Sequence, residues 1–232
     1  MKRPKICAVI VSKDLEAIKA IEQSIELFEV RIDLIGDGWQ ELVKQLNKPW
    51  IACNRSAEEG GRWEEDEARR IEELVKAIEL GANIVDIELE TRNLEEAIPL
   101  IKKRAKCLLS FHELEKTPSL DRMKGIIQRQ LEVGADICKV ITTAQRFEDN
   151  LTVLQLIAEF PKTKMVSFAM GSLGLASRIL CPLVGGDFTY ASTEKGKESA
   201  PGQITVRNLR TIYEMVARWE IGSYQEKHES VE

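Results

Sequence analysis

A lysine stands in the middle of an apolar run, GADICKVIT at 134–142. The run reads as a buried β-strand, and burying an ammonium is costly unless something compensates it. Three resolutions are open: Lys139 faces solvent, is ion-paired, or is neutral part of the time. In the last case its amine is a nucleophile. The chain has two histidines. His228 lies among charged residues near the C-terminal end and reads as solvated. That leaves His112, in SFHE at 110–113, as the imidazole for acid–base work near Lys139. A lone strand histidine is more often a satisfied core residue, but its phase with Ser110, one strand from Lys139, favours a working role.

Strand side chains alternate between two faces. In LFEVRIDL (27–34), Glu29, Arg31 and Asp33 fall on one face and Phe28, Val30, Ile32 and Leu34 on the other. Arg55 is in phase with Cys53, Asp86 with Glu88, and Ser110 with His112. One polar face therefore collects Glu29, Arg31, Asp33, Arg55, Asp86, Glu88, His112 and Lys139. Any one of these alone reads as a solvated edge residue or half of a structural ion pair. Converging from five strands, they cost stability without packing return, and a functional pocket is the better account.

The elements that must position them alternate. Apolar runs at 5–11, 27–34, 49–55, 83–90, 106–113, 135–142, 164–171 and 187–193 are separated by longer stretches, several of them amphipathic. The clearest are EEDEARRIEELVKAIELG (64–81) and SLDRMKGIIQRQLEVG (119–134), both closing on glycine. ELGANIVDIELE (79–90) echoes EVGADICKVITT (132–143), and two βα units between these glycines give about 26 residues per unit. The chain has room for eight such units. The predicted fold is α/β, a (β/α)8 TIM barrel in a single domain, 1–232, with a polar tail from about residue 220. A doubly wound sheet would want a glycine-rich first turn, and VSKDLEA has none. In a barrel the polar face points inward, and its charged residues lie near the C-terminal strand ends, where barrel active sites form.

Composition narrows the function classes. A net charge of −5 argues against a nucleic-acid or polybasic membrane-surface partner. The apolar run Ile6–Val11 is too short for a signal peptide or a membrane span, so a cytoplasmic protein is expected. Five scattered cysteines without ligand spacing argue against a zinc site or a disulfide framework and read as small buried hydrophobes.

Six segments carry a resemblance by their order and spacing: EVRIDL (29–34), NRSAEEGG (54–61), SFHE (110–113), ADICKV (135–140), GSLGLASR (171–178) and SAPGQI (199–204). Over nearly its whole length the chain resembles the type I 3-dehydroquinate dehydratases, Schiff-base hydro-lyases of the shikimate pathway. The resemblance implies a (β/α)8 barrel and an imine between Lys139 and the C3 ketone of 3-dehydroquinate. It makes His112 the general acid and base and Glu59 its support. Glu29, Arg31 and Arg55 would line the substrate site, and Arg178 would hold the substrate carboxylate. Ser199 and Gln203 would come from a loop closing over the ligand, and Met170 would pack on the ring. Phe168 stands where family members often carry methionine, which reshapes a wall and removes no chemical group. The resemblance also implies a homodimer and no metal or organic cofactor.

The chemistry is consistent with the residues. Loss of water from a β-hydroxy ketone begins with removal of a proton beside the carbonyl, and an iminium is a stronger electron sink than a ketone. Burial and nearby arginines are expected to lower the Lys139 pKa toward a usable amine. The segment TEKGKESAPGQ (193–203) has no apolar anchor before Ile204 and is expected to be a mobile lid. Two other readings compete: a Schiff-base aldolase or transaldolase, which would want a phosphate cradle, and a catalytically silent barrel acting as a binding protein.

Overall fold

The computed structural model describes residues 3–64 and 66–229, with the backbone alone for 219–229. The elements run β1 (Ile6–Ile10), α1 (Leu15–Ile21), β2 (Leu27–Arg31), α2 (Ile32–Ile35), α3 (Trp39–Val43), β3 (Trp50–Cys53) and α4 (Glu67–Glu79). They continue through β4 (Ile84–Glu88), α5 (Leu94–Lys102), β5 (Lys106–His112), α6 (Leu120–Val133), β6 (Ile137–Thr143) and α7 (Asp149–Glu159). The last elements are β7 (Met165–Met170), α8 (Leu175–Leu180), β8 (Thr189–Ser192) and α9 (Val206–Glu229). Each expected strand is present. The backbone is helical to Glu229, so the stretch from about 220 expected as a polar tail continues the last helix. His228 lies outside the described side chains.

The strands form one parallel sheet in the order β7-β6-β5-β4-β3-β2-β1-β8, a nearly closed (β/α)8 barrel. The seam between β7 and β8 is bridged at the bottom by Asp187 N–H donating to Met165 O at 2.7 Å. Higher up, the rings of Phe168 and Tyr190 meet edge to face across it, centroids 6.2 Å apart.

The internal echo has a physical basis. Asp66 caps α4 through Ala68 N–H and Ser119 caps α6 through Arg122 N–H. Gly81 and Gly134 follow the two helices with φ of 98° and 105°. The next residue donates back in each case, Ala82 to Ala77 O and Ala135 to Gln130 O, both at 2.9 Å. The same stop therefore launches β4 and β6, which carry Asp86 and Lys139.

Two hydrophobic bodies result. One lies between helices and sheet and joins strand residues Ile6, Ala8, Phe28, Val30, Val85 and Ile87 with helix residues such as Ile18, Leu74 and Ile98. The other includes the barrel floor, where Cys7, Val9, Ile51, Leu108, Ile137 and Val166 are buried. The charged residues Glu29, Asp86 and Lys139 stand in register with Val9, Leu108 and Val166 of this body. All five cysteines are buried and free. No helix among the described residues is long and apolar enough to cross a membrane.

Candidate active site

The polar inner face is built by strand register. Glu88, Ser110 and Lys139 stand side by side on β4, β5 and β6, and Arg31, Cys53 and Asp86 on β2, β3 and β4. One sequence expectation needs correction here. β2 ends at Arg31, and Asp33 sits in the helical turn α2 rather than in the strand. The turn folds Asp33 back so that Arg31 donates to both its oxygens, Nε at 2.8 Å and Nη2 at 2.6 Å. The same carboxylate accepts the backbone N–H groups of Arg55 (3.3 Å) and Arg62 (3.0 Å). Asp33 therefore pins the loop that carries Glu59.

That loop explains NRSAEEGG. A 3₁₀ turn, Ala57–Glu59, ends at Gly60 with φ 81°. The next residue, Gly61, packs so tightly that a Cβ would lie 2.0 Å from Arg55 O. The tight loop brings Glu59 to the end of β5. Its Oε2 accepts the His112 backbone N–H at 3.1 Å and lies 2.7 Å from His112 Nδ1. Burial, then Arg55 and Lys139, push the His112 pKa well below its ordinary value, against the opposite pull of Asp86. The imidazole is thus neutral and fit to accept a proton. Burial pushes the Glu59 carboxyl up to about 8; Arg55 opposes this, while Glu88 and Asp86 reinforce it.

Lys139 is paired. Its Nζ lies 2.7 Å from Asp86 Oδ2 and 3.5 Å from Glu29 Oε1, and 4.4 Å over the Tyr190 ring. The expectation of a lowered pKa fails in this arrangement. Burial does pull it down and is the largest influence, but Asp86 and Glu29 outweigh it and the pKa is raised. Asp86 is itself held well below the usual carboxylate range: burial raises it, and Arg55 and Lys139 more than reverse that. Arg55 reaches Asp86 Oδ1 and Glu88 Oε1 at 2.7 and 2.9 Å, and Ser110 Oγ at 2.7 Å. Its fork therefore faces protein acceptors.

A cavity of about 300 Å³ opens above these groups. Every sequence-predicted site residue lines it: Lys139, His112, Glu59, Glu29, Arg31, Arg55, Arg178, Ser199, Gln203 and Met170. Arg178 is buried with its Cζ 4.3 Å from the Phe168 ring centroid, and its Nε has no hydrogen-bond partner among the described residues. Burial lowers its pKa to about 10. A desolvated cation of this kind is suited to a carboxylate ligand.

The 193–203 segment has more anchorage than its composition suggested. Ala200 packs against the second hydrophobic body, and Gly171 N–H donates to Pro201 O at 3.1 Å. Gly202 has φ 74°, and a Cβ there would meet Gly171 O at 2.2 Å. Gln203 Oε1 accepts from Ser199 N–H at 2.8 Å and lies 3.3 Å from Ser199 Oγ.

Sequence reasoning gave no role to Asp86, Ser110, Tyr190 or Arg70. Asp86 and Ser110 were on the polar face, but phase does not rank them. Tyr190 could have been found by alternation in DFTYAST. Arg70 had a sharper signal: it shares the buried stripe of α4 with Leu74, Ala77 and Ile78.

Fold and site together define a class: barrel enzymes that set a buried lysine, an imidazole–carboxylate pair and an anion-seeking guanidinium around one cavity at the C-terminal strand ends. The family model described as type I 3-dehydroquinase matches residues 6–219, and the chain belongs to that family. It is an enzyme of the hydro-lyase class. A 3-dehydroquinate dehydratase of Dehalococcoides mccartyi is 46% identical over 93% of this chain and 97% of its own length. One of Methanocaldococcus jannaschii is 35% identical over 91% and 98%. The crystal structure of the 3-dehydroquinate dehydratase from Geobacillus kaustophilus superimposes with a TM-score of 0.82 at 25% identity, covering 94% of this chain and 93% of that one.

Proposed function

We propose that the chain dehydrates 3-dehydroquinate to 3-dehydroshikimate through an imine on Lys139, as a cofactor-independent step of chorismate and aromatic amino acid biosynthesis. The observation that carries the reading is the placement of Lys139. It lies on the inner face of the barrel among Asp86, Glu29 and the Tyr190 ring, in one cavity with the His112–Glu59 pair.

Lys139 must lose a proton before it attacks, and the neutral His112 imidazole is a base in the same cavity. The amine adds to the C3 carbonyl and water leaves, giving an iminium. His112 takes a C2 proton, the electron pair moves into the enamine, and the C1 hydroxyl leaves as water with a proton returned by His112. Water then hydrolyses the conjugated iminium and frees the lysine. Arg178 supplies a planar donor for the substrate carboxylate. Ser199, Gln203 and Met170 contact the ring from above, and Glu29, Arg31 and Arg55 keep the floor charged and ordered. A cytoplasmic location and a homodimer belong to this reading, and the homodimer rests on the family resemblance.

Incubation with 3-dehydroquinate tests it directly. The conjugated enone product should appear in the ultraviolet, and borohydride added with substrate should leave a reduced adduct on the Lys139 peptide. Turnover with an adduct on another lysine, or no turnover, would overturn the assignment.

A further inference from the structure

Outside the cavity, one buried cation has every donor engaged. Arg70, on α4, donates Nε and Nη2 to the two oxygens of Glu67 at 2.8 Å each. Nη1 reaches Asn54 O at 3.0 Å and Glu88 Oε2 at 2.5 Å, and Nη2 also reaches Thr91 Oγ1 at 2.9 Å. Its side chain is 2% exposed. This residue does not line the cavity; it walls an acidic outer cleft of about 590 Å³ with Glu58, Glu64, Glu67 and Glu90.

Glu88 links that outer layer to the site. One of its oxygens takes Arg70, and the other takes Arg55 Nη1 at 2.9 Å and Ser56 N–H at 3.2 Å. Arg55 in turn fixes Asp86, the partner of Lys139, and comes within 3.9 Å of Glu59, the partner of His112. From α4 inward the order is therefore Arg70, Glu88, Arg55, and then both members of the reacting pair.

We infer that Arg70 is a positioning residue for the reaction, acting through Glu88 to hold the Arg55 fork against Asp86 and beside Glu59. A buried carboxylate with cations on both sides has one low-energy position. With the outer cation removed, Glu88 is free to rotate, and the Arg55 donor it carries moves with it. A displacement of about 1 Å in a supporting group is enough to cost on the order of a hundredfold in rate. Arg178 does not belong to this chain of contacts, so substrate capture is not expected to follow.

The inference rests on the proposed dehydration, which turnover by the parent enzyme establishes independently. Arg70→Met should lower kcat at least tenfold while KM stays within about threefold. It also leaves Glu88 with one cation and can unfold the protein. The double variant Arg70→Met with Glu88→Gln removes that charge while keeping the volume, and the amide carbonyl it introduces remains an acceptor for Ser56 N–H. The double variant should regain the parent's melting temperature to within a few degrees yet keep the low kcat. A double variant that melts like the parent and turns over within twofold of it would reduce Arg70 to charge balance and overturn the inference. So would a single variant with unchanged kcat, or one whose loss lies wholly in KM.

Discussion

Lys139 Nζ lies 2.7 Å from Asp86 Oδ2 across the barrel interior, from β6 to β4, and this pair decides the resting charge of the proposed nucleophile. Burial alone would favour the neutral amine, but Asp86 and Glu29 reverse it. Asp86→Asn removes the larger of these two opposing influences and leaves burial and Arg55, both of which lower the lysine. The pH dependence of borohydride trapping with substrate should move to lower pH, measured as the midpoint of the inactivation rate. Turnover should fall at the same time, because Arg55 and Ser110 lose a charged acceptor. A midpoint that stays in place or moves upward would show that Asp86 does not hold the ammonium.

His112→Ala should lower turnover by roughly 10²–10⁴-fold, the range for one acid–base group, and by more if both proton transfers use it. Mass spectrometry after borohydride should still find substrate on Lys139, formed more slowly, since the amine is intact but has lost the base beside it. Near-normal turnover would remove His112 from the chemistry.

The legible part of this protein was its periodicity. Alternation located the strands, the repeated glycine stops at Gly81 and Gly134 set the unit length, and phase put Glu29, Asp86, His112 and Lys139 on one face. Phase failed at Asp33, because in the turn after Arg31 its carboxylate is engaged by Arg31 and by the N–H groups of Arg55 and Arg62, contacts that alternation along one strand does not encode. It also could not supply the Lys139 charge. That depends on distances from carboxylates on two other strands, and the strength of each pairing depends on how far water is excluded from it. Glu59 and Arg178 lie outside any strand, so they entered through the resemblance alone.

Glu59 gives a pH test of stability. Its carboxyl is raised from 4.5 to about 8 in the folded protein. Between those values the folded chain keeps a proton that the unfolded chain releases, so Glu59 contributes stability below about pH 4.5 and that contribution is lost as pH rises through 8. Glu59→Gln removes the titration. The parent's stability relative to the variant should therefore decline from about pH 5 to about pH 8.5, read by urea unfolding at each pH. The opposite slope would mean that Glu59 is a carboxylate against His112 throughout this range.

Two glycines separate tight packing from chain flexibility. Gly61→Ala places a methyl 2.0 Å from Arg55 O, a backbone atom that cannot rotate away. It should cost about 1–3 kcal/mol or more and displace Glu59, with activity falling alongside. Gly125 is exposed in α6 with nothing within 4 Å of its added Cβ. There Gly125→Ala should stabilise by roughly 0.5–1 kcal/mol and leave activity unchanged. Denaturant midpoints decide both, and a neutral Gly61→Ala would contradict the packing described for the loop.

Arg178 and Gln203 should separate binding from closure. Arg178 offers a buried guanidinium stacked on Phe168, its Nε unpartnered among the described residues. Arg178→Ala strips a charge-assisted partner from a desolvated carboxylate, a loss of roughly 2–5 kcal/mol, so KM should rise from about thirtyfold to a few thousandfold. Gln203 instead accepts from Ser199 N–H within the 193–203 segment. For either residue to bond the ring, that internal pairing must rearrange, which makes the segment a lid in the kinetic sense. Gln203→Ala should cost less than Arg178→Ala and leave borohydride trapping intact. Hydrogen exchange of 193–203 should slow when the reduced adduct is in place, with the Ser199 and Gln203 amides already protected in the free enzyme because they donate to Gln203 Oε1 and Ala200 O. Unchanged exchange in the adduct, together with parent-like kinetics for Gln203→Ala, would make the segment a plain connection between β8 and α9.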